Sequence, residues 1–468
     1  MRRRTFLWRS LLGGLVMSAG NRATGGERAE RRAASGPLRQ HPDNPRYFAD
    51  GSGKAILLGG SHTWNNLVDM GTSDPPPRFD FDGYLDFLER YGHNFIRMWT
   101  WEPTTWNTKA NRRDAINHAA PQPWPRTGPG SALDGKPRFD LSRFNPDYFR
   151  RLRSRLEAAG KRGIYVSVML FEGWAMQFAP GAWETHPFHP KNNINGINGD
   201  ANGDGKGLEV HELANRKVTA IQEAYVRKVI DTVNDLDNVL YEVSNENHPA
   251  STRWQYHMIE FIHRYERTRP KQHPVGMTFQ YRGGSNETLF KSPADWISPN
   301  PAGGYRDNPP SATRGKVVLS DTDHLWGIGG NRQWAWKTFT RGLNPLFMDP
   351  YDGLILDGKF DRRWEPIRVA LGHILGFSRR IALEKAKPSR AIASSTFCLA
   401  VPGSHYVVYL PEGGSVEVNL SAVKGQLAVE WFNPSTGKTT QRGKVGGGAR
   451  RKFTAPFKGD AVLYLAAT

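Results

Sequence analysis

The chain is poor in several things, and each shortage excludes something. A single cysteine, Cys398, among 468 residues rules out an internal disulfide framework. Outside the N-terminus no run of about 20 apolar residues occurs, so the body of the chain holds no candidate membrane-spanning helix. Acidic residues are scarce, 45 against 63 Lys and Arg, for a formal net charge of +18. That balance would suit a polyanion, yet no stretch interleaves the cations with stacking aromatics as a single-strand nucleic-acid binder does. A solvated basic surface is the expectation, with no nucleic-acid partner. An early His-x-His pair is missing too, and His186-Pro187-Phe188-His189 falls in a loop rather than on a helix, which speaks against a metal-dependent hydrolase.

What is present begins with a leader. Arg3-Arg4-Thr5-Phe6-Leu7 matches the twin-arginine consensus, a mildly apolar stretch runs from Leu11 to Ala19, and small residues follow near Ala19 to Ala23. Residues 1–36 are therefore read as a signal peptide and linker, giving a periplasmic or secreted protein without a membrane anchor. They carry eight Arg and two Glu, leaving +12 on the remainder. One cysteine fits such export, since twin-arginine substrates fold before translocation.

From Pro45 to Leu383 short apolar runs alternate with amphipathic helical patterns, the signature of βα units and a parallel sheet. Strands are expected at Ile56–Gly60, Asn94–Trp99, Tyr165–Leu170, Val239–Ser244, Val275–Phe279, Trp296–Pro299, Val317–Ser320 and Pro345–Met348. Tyr84, Phe87, Leu88 and Tyr91 recur at helical spacing before Gly92. Further helices are expected from Pro146, over Ala214–Asp235 and Trp254–Tyr265, and at Pro366–Arg379. Eight such strands with long loops favour a closed (β/α)₈ barrel over residues 37–387. Beyond Lys387-Pro388 the pattern turns to alternating strands, His405–Leu410, Ser415–Leu420, Leu427–Phe432 and Ala461–Leu465, separated by Gly, Pro and Asn turns. Residues 388–468 read as a small antiparallel β-sandwich.

In a (β/α)₈ barrel the active site gathers at the C-terminal strand ends. Those ends carry Ser61-His62-Thr63-Trp64, Trp99-Thr100-Trp101-Glu102, Phe171-Glu172-Gly173-Trp174, Ser244-Asn245-Glu246-Asn247-His248, Gln280-Tyr281-Arg282, Ser320-Asp321-Thr322-Asp323-His324 and Asp349-Pro350. Carboxylates can do acid/base work and hold hydroxyls, and indole faces pack on the C–H faces of sugars. Trp64, Trp99, Trp174 and Trp326 are the stacking candidates, about half of them expected in the core, and Tyr281 is a contact candidate. His62, His248 and His324 either bind a sugar or satisfy hydrogen bonds of the core.

The pair Asn245-Glu246 at the fourth strand end, with carboxylates at the seventh, resembles clan A glycoside hydrolases. The resemblance implies Glu246 as acid/base, Asn245 on a sugar 2-hydroxyl and Arg97 beside the nucleophile. That nucleophile is a strand-seven carboxylate, Asp321 or Asp323, where the clan usually has Glu. One of the two aspartates is expected to face the mouth, and Asp321 is preferred. The implied mechanism is a retaining double displacement on an oligo- or polysaccharide.

Asn44-Pro45-Arg46-Tyr47-Phe48 through Gly59-Gly60-Ser61-His62-Thr63-Trp64 is similar to the start of apiosidase-like barrel proteins. Trp431-Phe432-Asn433-Pro434-Ser435-Thr436-Gly437 with Phe453-Thr454-Ala455-Pro456 resembles a C-terminal module labelled "putative collagen-binding". The architecture is carried over. The collagen label is not, since no feature of the segment accounts for it. A non-catalytic carbohydrate- or matrix-binding protein is the alternative.

No cofactor is required by this reading. Asp200-Ala201-Asn202-Gly203-Asp204-Gly205 looks like half a calcium loop, but position twelve is His211 where a bidentate Glu belongs. A plain Asx/Gly turn is preferred, with structural calcium at Asp200–Asp204 as a side hypothesis.

Overall fold

The computed structural model describes residues 33–107, 115–353, 355–356 and 362–468. The segment bearing the twin-arginine motif lies outside them. Eight parallel strands form the central sheet: β1 Gly60–His62, β2 Phe95–Met98, β3 Tyr165–Glu172, β4 Val239–Asn245, β5 Val275–Thr278, β6 Trp296–Ser298, β7 Val317–Asp321 and β8 Asn344–Met348. Their order, β1-β8-β7-β6-β5-β4-β3-β2, is that of a barrel opened between β1 and β2. Asn94 bridges this seam. Its backbone N–H donates to Gly59 O at 3.0 Å, and its side chain imitates a peptide, accepting from Gly59 N and donating to Leu57 O, both at 2.9 Å. The sheet is thus a (β/α)₈ barrel.

Helices α1 Phe81–Tyr91, α2 Pro146–Lys161, α3 Arg216–Val233, α4 Thr252–Glu266, α5 Asn286–Lys291, α6 Arg332–Thr340 and α7 Glu365–Ser378 surround it. Local chemistry explains their limits. Asp80, Asn145 and Asn215 each accept a hydrogen bond from the first turn they precede, Pro146 opens α2, and Gly92 ends α1 in the left-handed region at φ 75°. On β5, Gly276 is required by contact: a Cβ there would sit 1.9 Å from the Trp296 indole.

One expectation needs correcting. Ile56 belongs to a separate small sheet, Arg39–Gln40, Phe48–Ala49 and Ala55–Ile56, and the first barrel strand starts at Gly60. Leu38 and Phe48 of this segment cluster with Phe95, Tyr165, Leu240, Trp296 and Val317, which open or nearly open their strands. The segment plugs the barrel floor and leaves the opposite end for chemistry.

The C-terminal module is a six-stranded antiparallel sheet facing a two-stranded one, Ser415–Asn419 with Arg450–Thr454. Between them lie Val408, Val418, Leu427, Trp431 and Leu463, along with Cys398, whose thiol burial pushes up to about 12. The other face of the larger sheet packs on the barrel, where Phe432 and Tyr464 meet Phe377, and Tyr409 stacks on Trp336. Arg332–Asp460 at 2.8 Å adds an ion pair across this junction.

Candidate active site

The centre of the barrel mouth is Arg97, a β2 residue only 1% exposed. Its Nε and Nη2 donate to the two carboxylate oxygens of Glu242 at 2.8 and 2.6 Å. Nη2 also reaches Asn245 Oδ1 at 2.5 Å, and Nη1 donates to Asp321 Oδ2 and Asp323 Oδ2, both at 3.0 Å. One cation thus faces three carboxylates directly, with Glu246 and Glu172 behind them. Such an excess of negative charge in a dry site is relieved when some carboxyls keep their protons.

The carboxyls divide accordingly. Asp321 is fully buried and has both oxygens occupied: Oδ1 accepts from Asp323 N at 3.0 Å, and Oδ2 from Arg97 and from His62 Nε2 at 2.8 Å. Burial works against its ionised form, but His62 and Arg97 overcome this and hold Asp321 far below the usual carboxylate range. Among the described residues nothing hydrogen-bonds Asp323 Oδ1. Burial pushes it up to about 6, against the pull of Arg97. Glu246 is displaced well upward, by burial first and then by the charge of Asp323. Among the described residues no side chain hydrogen-bonds its carboxyl. It is poised as an acid.

Glu246 also holds an unusual backbone. Its φ of 43° is left-handed, costly for a side chain other than glycine, and such outliers collect where function fixes them. The turn breaks strand alternation, so Asn245 bonds Arg97 while the adjacent Glu246 shares the same electrostatic environment.

The expectation that one aspartate of strand seven faces the mouth is corrected. Strand β7 stops at Asp321, which caps the short helix Thr322–Trp326 by accepting from Asp323 N. The helical turn swings Asp323 beside Asp321, and Arg97 binds both. Asp321 thus has both oxygens engaged and Asp323 only Oδ2 among the described residues.

The histidines are already satisfied. Trp99 Nε1, a donor only, gives to His62 Nδ1 at 2.9 Å, so the neutral ring carries its proton on Nε2 and donates it to Asp321. His324 takes Ser298 Oγ on Nδ1 at 2.7 Å and offers Nε2 to Asn245 Oδ1 at 3.1 Å; burial lowers it well below its ordinary range. His248 spans Asn247 and Glu212. These rings orient their neighbours. Asn245, its Oδ1 doubly occupied, has a buried Nδ2 donor with no partner among the described residues.

Trp99 is fully buried and Trp64 4% exposed, so neither offers an open face. Both belong to an aromatic wall with Trp101, Trp106 and Trp174. Trp174 and Trp326 are half-buried, and Tyr281 is exposed beside Phe178. These three can meet a ligand.

Glu242 carried no expectation from the sequence, and Glu102 and Glu172 stood at strand ends without an assigned role. Glu242, four before Glu246, is the bidentate partner of Arg97. Glu172 ends β3 fully buried, and burial pushes it up to about 8 although Trp174 N and Ala175 N donate to it at 2.7 and 2.9 Å. Glu102 accepts from His211 at 2.9 Å and from Glu172 N at 2.9 Å, with His186 at 3.4 Å; the two histidines outweigh burial and lower it to about 2. Strand-end position was the available signal for Glu172 and Glu102. For Glu242 it was the i+4 repeat within one strand.

In the Asp200–Gly205 loop, Asp200 accepts from Gly203, Asp204 and Gly205 N–H groups, an Asx-turn pattern. Oxygens of Asp200, Asp204 and Glu209 lie within 4.8 Å of one another. The turn is self-supporting.

Fold and site together define a (β/α)₈ barrel with carboxylates gathered round one buried arginine, joined to a β-sandwich. A family model described as "Domain of unknown function (DUF6298)" matches residues 105–281, and one described as "Putative collagen-binding domain of a collagenase" matches residues 390–466. No curated protein sequence matches significantly. Among solved structures, a glycoside hydrolase family 5 protein from Bacteroides vulgatus ATCC 8482 aligns with TM-score 0.64 at 12% identity, over 93% of this chain and 94% of its own. Another protein described as a glycoside hydrolase aligns with TM-score 0.61 at 13% identity, over 92% and 97%. At such identity the likeness is one of fold: the chain is built like these barrel proteins along nearly its whole length.

Proposed function

We propose that the protein hydrolyses glycosidic bonds of an oligo- or polysaccharide with Glu246 as general acid/base and Asp323 as nucleophile. The observation that carries this reading is the carboxyl of Glu246, its proton affinity raised by burial and negative neighbours, set on a left-handed residue at the end of β4 near the arginine-held carboxylate of Asp323 in the turn after β7. The fold shared with proteins described as glycoside hydrolases supports it.

The steps follow from the residues. Glu246 protonates the leaving oxygen while Asp323, steadied by Arg97 through Oδ2, attacks the anomeric carbon with its Oδ1. Glu246, now ionised, deprotonates the water that releases the glycosyl-enzyme and regains its proton. Asp321, bonded to His62, Arg97 and the Asp323 amide, keeps the nucleophile's turn in place. The Nδ2 of Asn245 donates to the sugar 2-hydroxyl, while Trp174, Trp326 and Tyr281 line the approach. Anomeric configuration is retained. The protein acts outside the cytoplasm after twin-arginine export, without a metal in the reaction.

Incubating the purified protein with a glycan panel, followed by product analysis, tests the reading. Turnover of at least one member, lost in Glu246→Gln for substrates with poor leaving groups, is expected. Binding of glycans without turnover would replace it with a carbohydrate-binding role.

A further inference from the structure

The left-handed backbone of Glu246 raises the question of what holds it. Thr278 Oγ1 accepts from its N–H at 3.3 Å, and the same hydroxyl donates to Ser244 O at 2.9 Å. The carbonyl side is held from β3. Gln177 Nε2 donates to Glu246 O at 2.7 Å and to Gly173 O at 2.9 Å. Gly173 N in turn donates to Asn245 O at 2.9 Å. Two successive carbonyls, those of Asn245 and Glu246, are therefore clamped by the turn that follows β3.

That turn is itself fixed. Glu172 accepts from the amides of Trp174 and Ala175, capping the short helix Trp174–Phe178, and Glu102 accepts from the Glu172 amide. Gly173 is required for the approach, since a Cβ there would sit 2.6 Å from Asn247 Cα. The same helix presents the half-buried Trp174.

We propose that Gln177 is a positioning residue that holds Glu246 in its left-handed conformation, so that the β3 turn sets the general acid and the Trp174 platform as one unit. This rests on the hydrolase reading for its kinetic consequence but not for its structural one. Gln177 is only half-buried, so replacement by an apolar residue of similar size removes both donors without opening a cavity. Its amide is the one side-chain donor to the Glu246 carbonyl among the described residues.

The test uses the full-length protein with Gln177→Leu, and Gln177→Met as a second variant should the first fold poorly. Crystal structures of the variants are expected to show Glu246 at negative φ with its carboxyl displaced. An unchanged φ near 43° would overturn the proposal whatever the enzyme does. On a substrate the wild type turns over, kcat should fall about 10²-fold for poor leaving groups, since misplacement on the order of 1 Å costs that much, with KM little changed. Activated aryl glycosides should lose far less, because they need little acid assistance. An equal loss on both, or a loss confined to KM, would also overturn it. A shifted φ in a protein without any glycosidase activity would sustain the positioning role and sink the hydrolase reading instead.

Discussion

Replacing Arg97 with Met tests the electrostatic centre without any substrate. The guanidinium holds Glu242 with two hydrogen bonds and Asp321 and Asp323 with one each, all at 3.0 Å or less and all nearly or fully buried. Removing one partner of a buried ion pair leaves an uncompensated charge and costs about 3–5 kcal/mol. Met fills similar volume, so little of the loss is a cavity. The sign of the pH dependence follows from the shifts. In the wild type Asp321 is held below its unfolded value, so its contribution is present at neutral pH and lost as pH falls through the acid range. Without Arg97 the carboxyl of Asp323, which burial already raises, loses the main attraction that opposes that rise and moves further up. Asp323 lies at about 6 even with Arg97 present, so the variant's penalty is greatest above that pH and shrinks as protons bind. Urea denaturation at pH 7 and pH 5 should therefore give a gap between the proteins that narrows at pH 5. A gap that is equal at both, or wider at pH 5, would refute the reasoning.

Other outcomes are expected. The alkaline limb of kcat/KM should report a carboxyl titrating above the ordinary carboxylate range, and Glu246→Gln should remove that limb; a limb that survives would assign it to another group, Glu172 being the nearest alternative. Phe432→Ala should cost about 3–5 kcal/mol by thermal or urea unfolding, because the ring lies between the sandwich and Phe377; a loss under about 1 kcal/mol would mean the module docks loosely. Arg3→Lys with Arg4→Lys should leave precursor in the cytoplasm, and unchanged export would remove the twin-arginine assignment. Calcium should leave the melting temperature unchanged, and a dose-dependent rise would make the Asp200–Glu209 loop an ion site.

Much of the barrel was legible because its strands are buried on both faces and its helices are amphipathic, so the period switches from continuous apolar runs to 3.6. Strand ends then pointed to Asn245, Glu246, Asp321 and Asp323, and the resemblance to clan A glycoside hydrolases added Arg97. What failed was local geometry. Whether Asp323 continues a strand or turns into a helix depends on a cap formed by the Asp321 side chain, and two residues of sequence do not reveal it. His62 and Trp99 looked like ligand contacts because polar and aromatic residues at a barrel mouth do either job. Only their partners, Asp321 and His62, show that they support the site. Gln177 carried no signal, since its role depends on the path of a backbone 69 residues away.

The most direct test of the central claim is proton NMR of the first product released from a glycoside that the wild type cleaves, run in parallel with Asp323→Ala and Asp321→Ala. The account predicts an initial anomer of the substrate's own configuration, no turnover by Asp323→Ala even on activated aryl glycosides, and a weakened but measurable rate in Asp321→Ala. An inverted first product, or full activity after loss of Asp323, would contradict it.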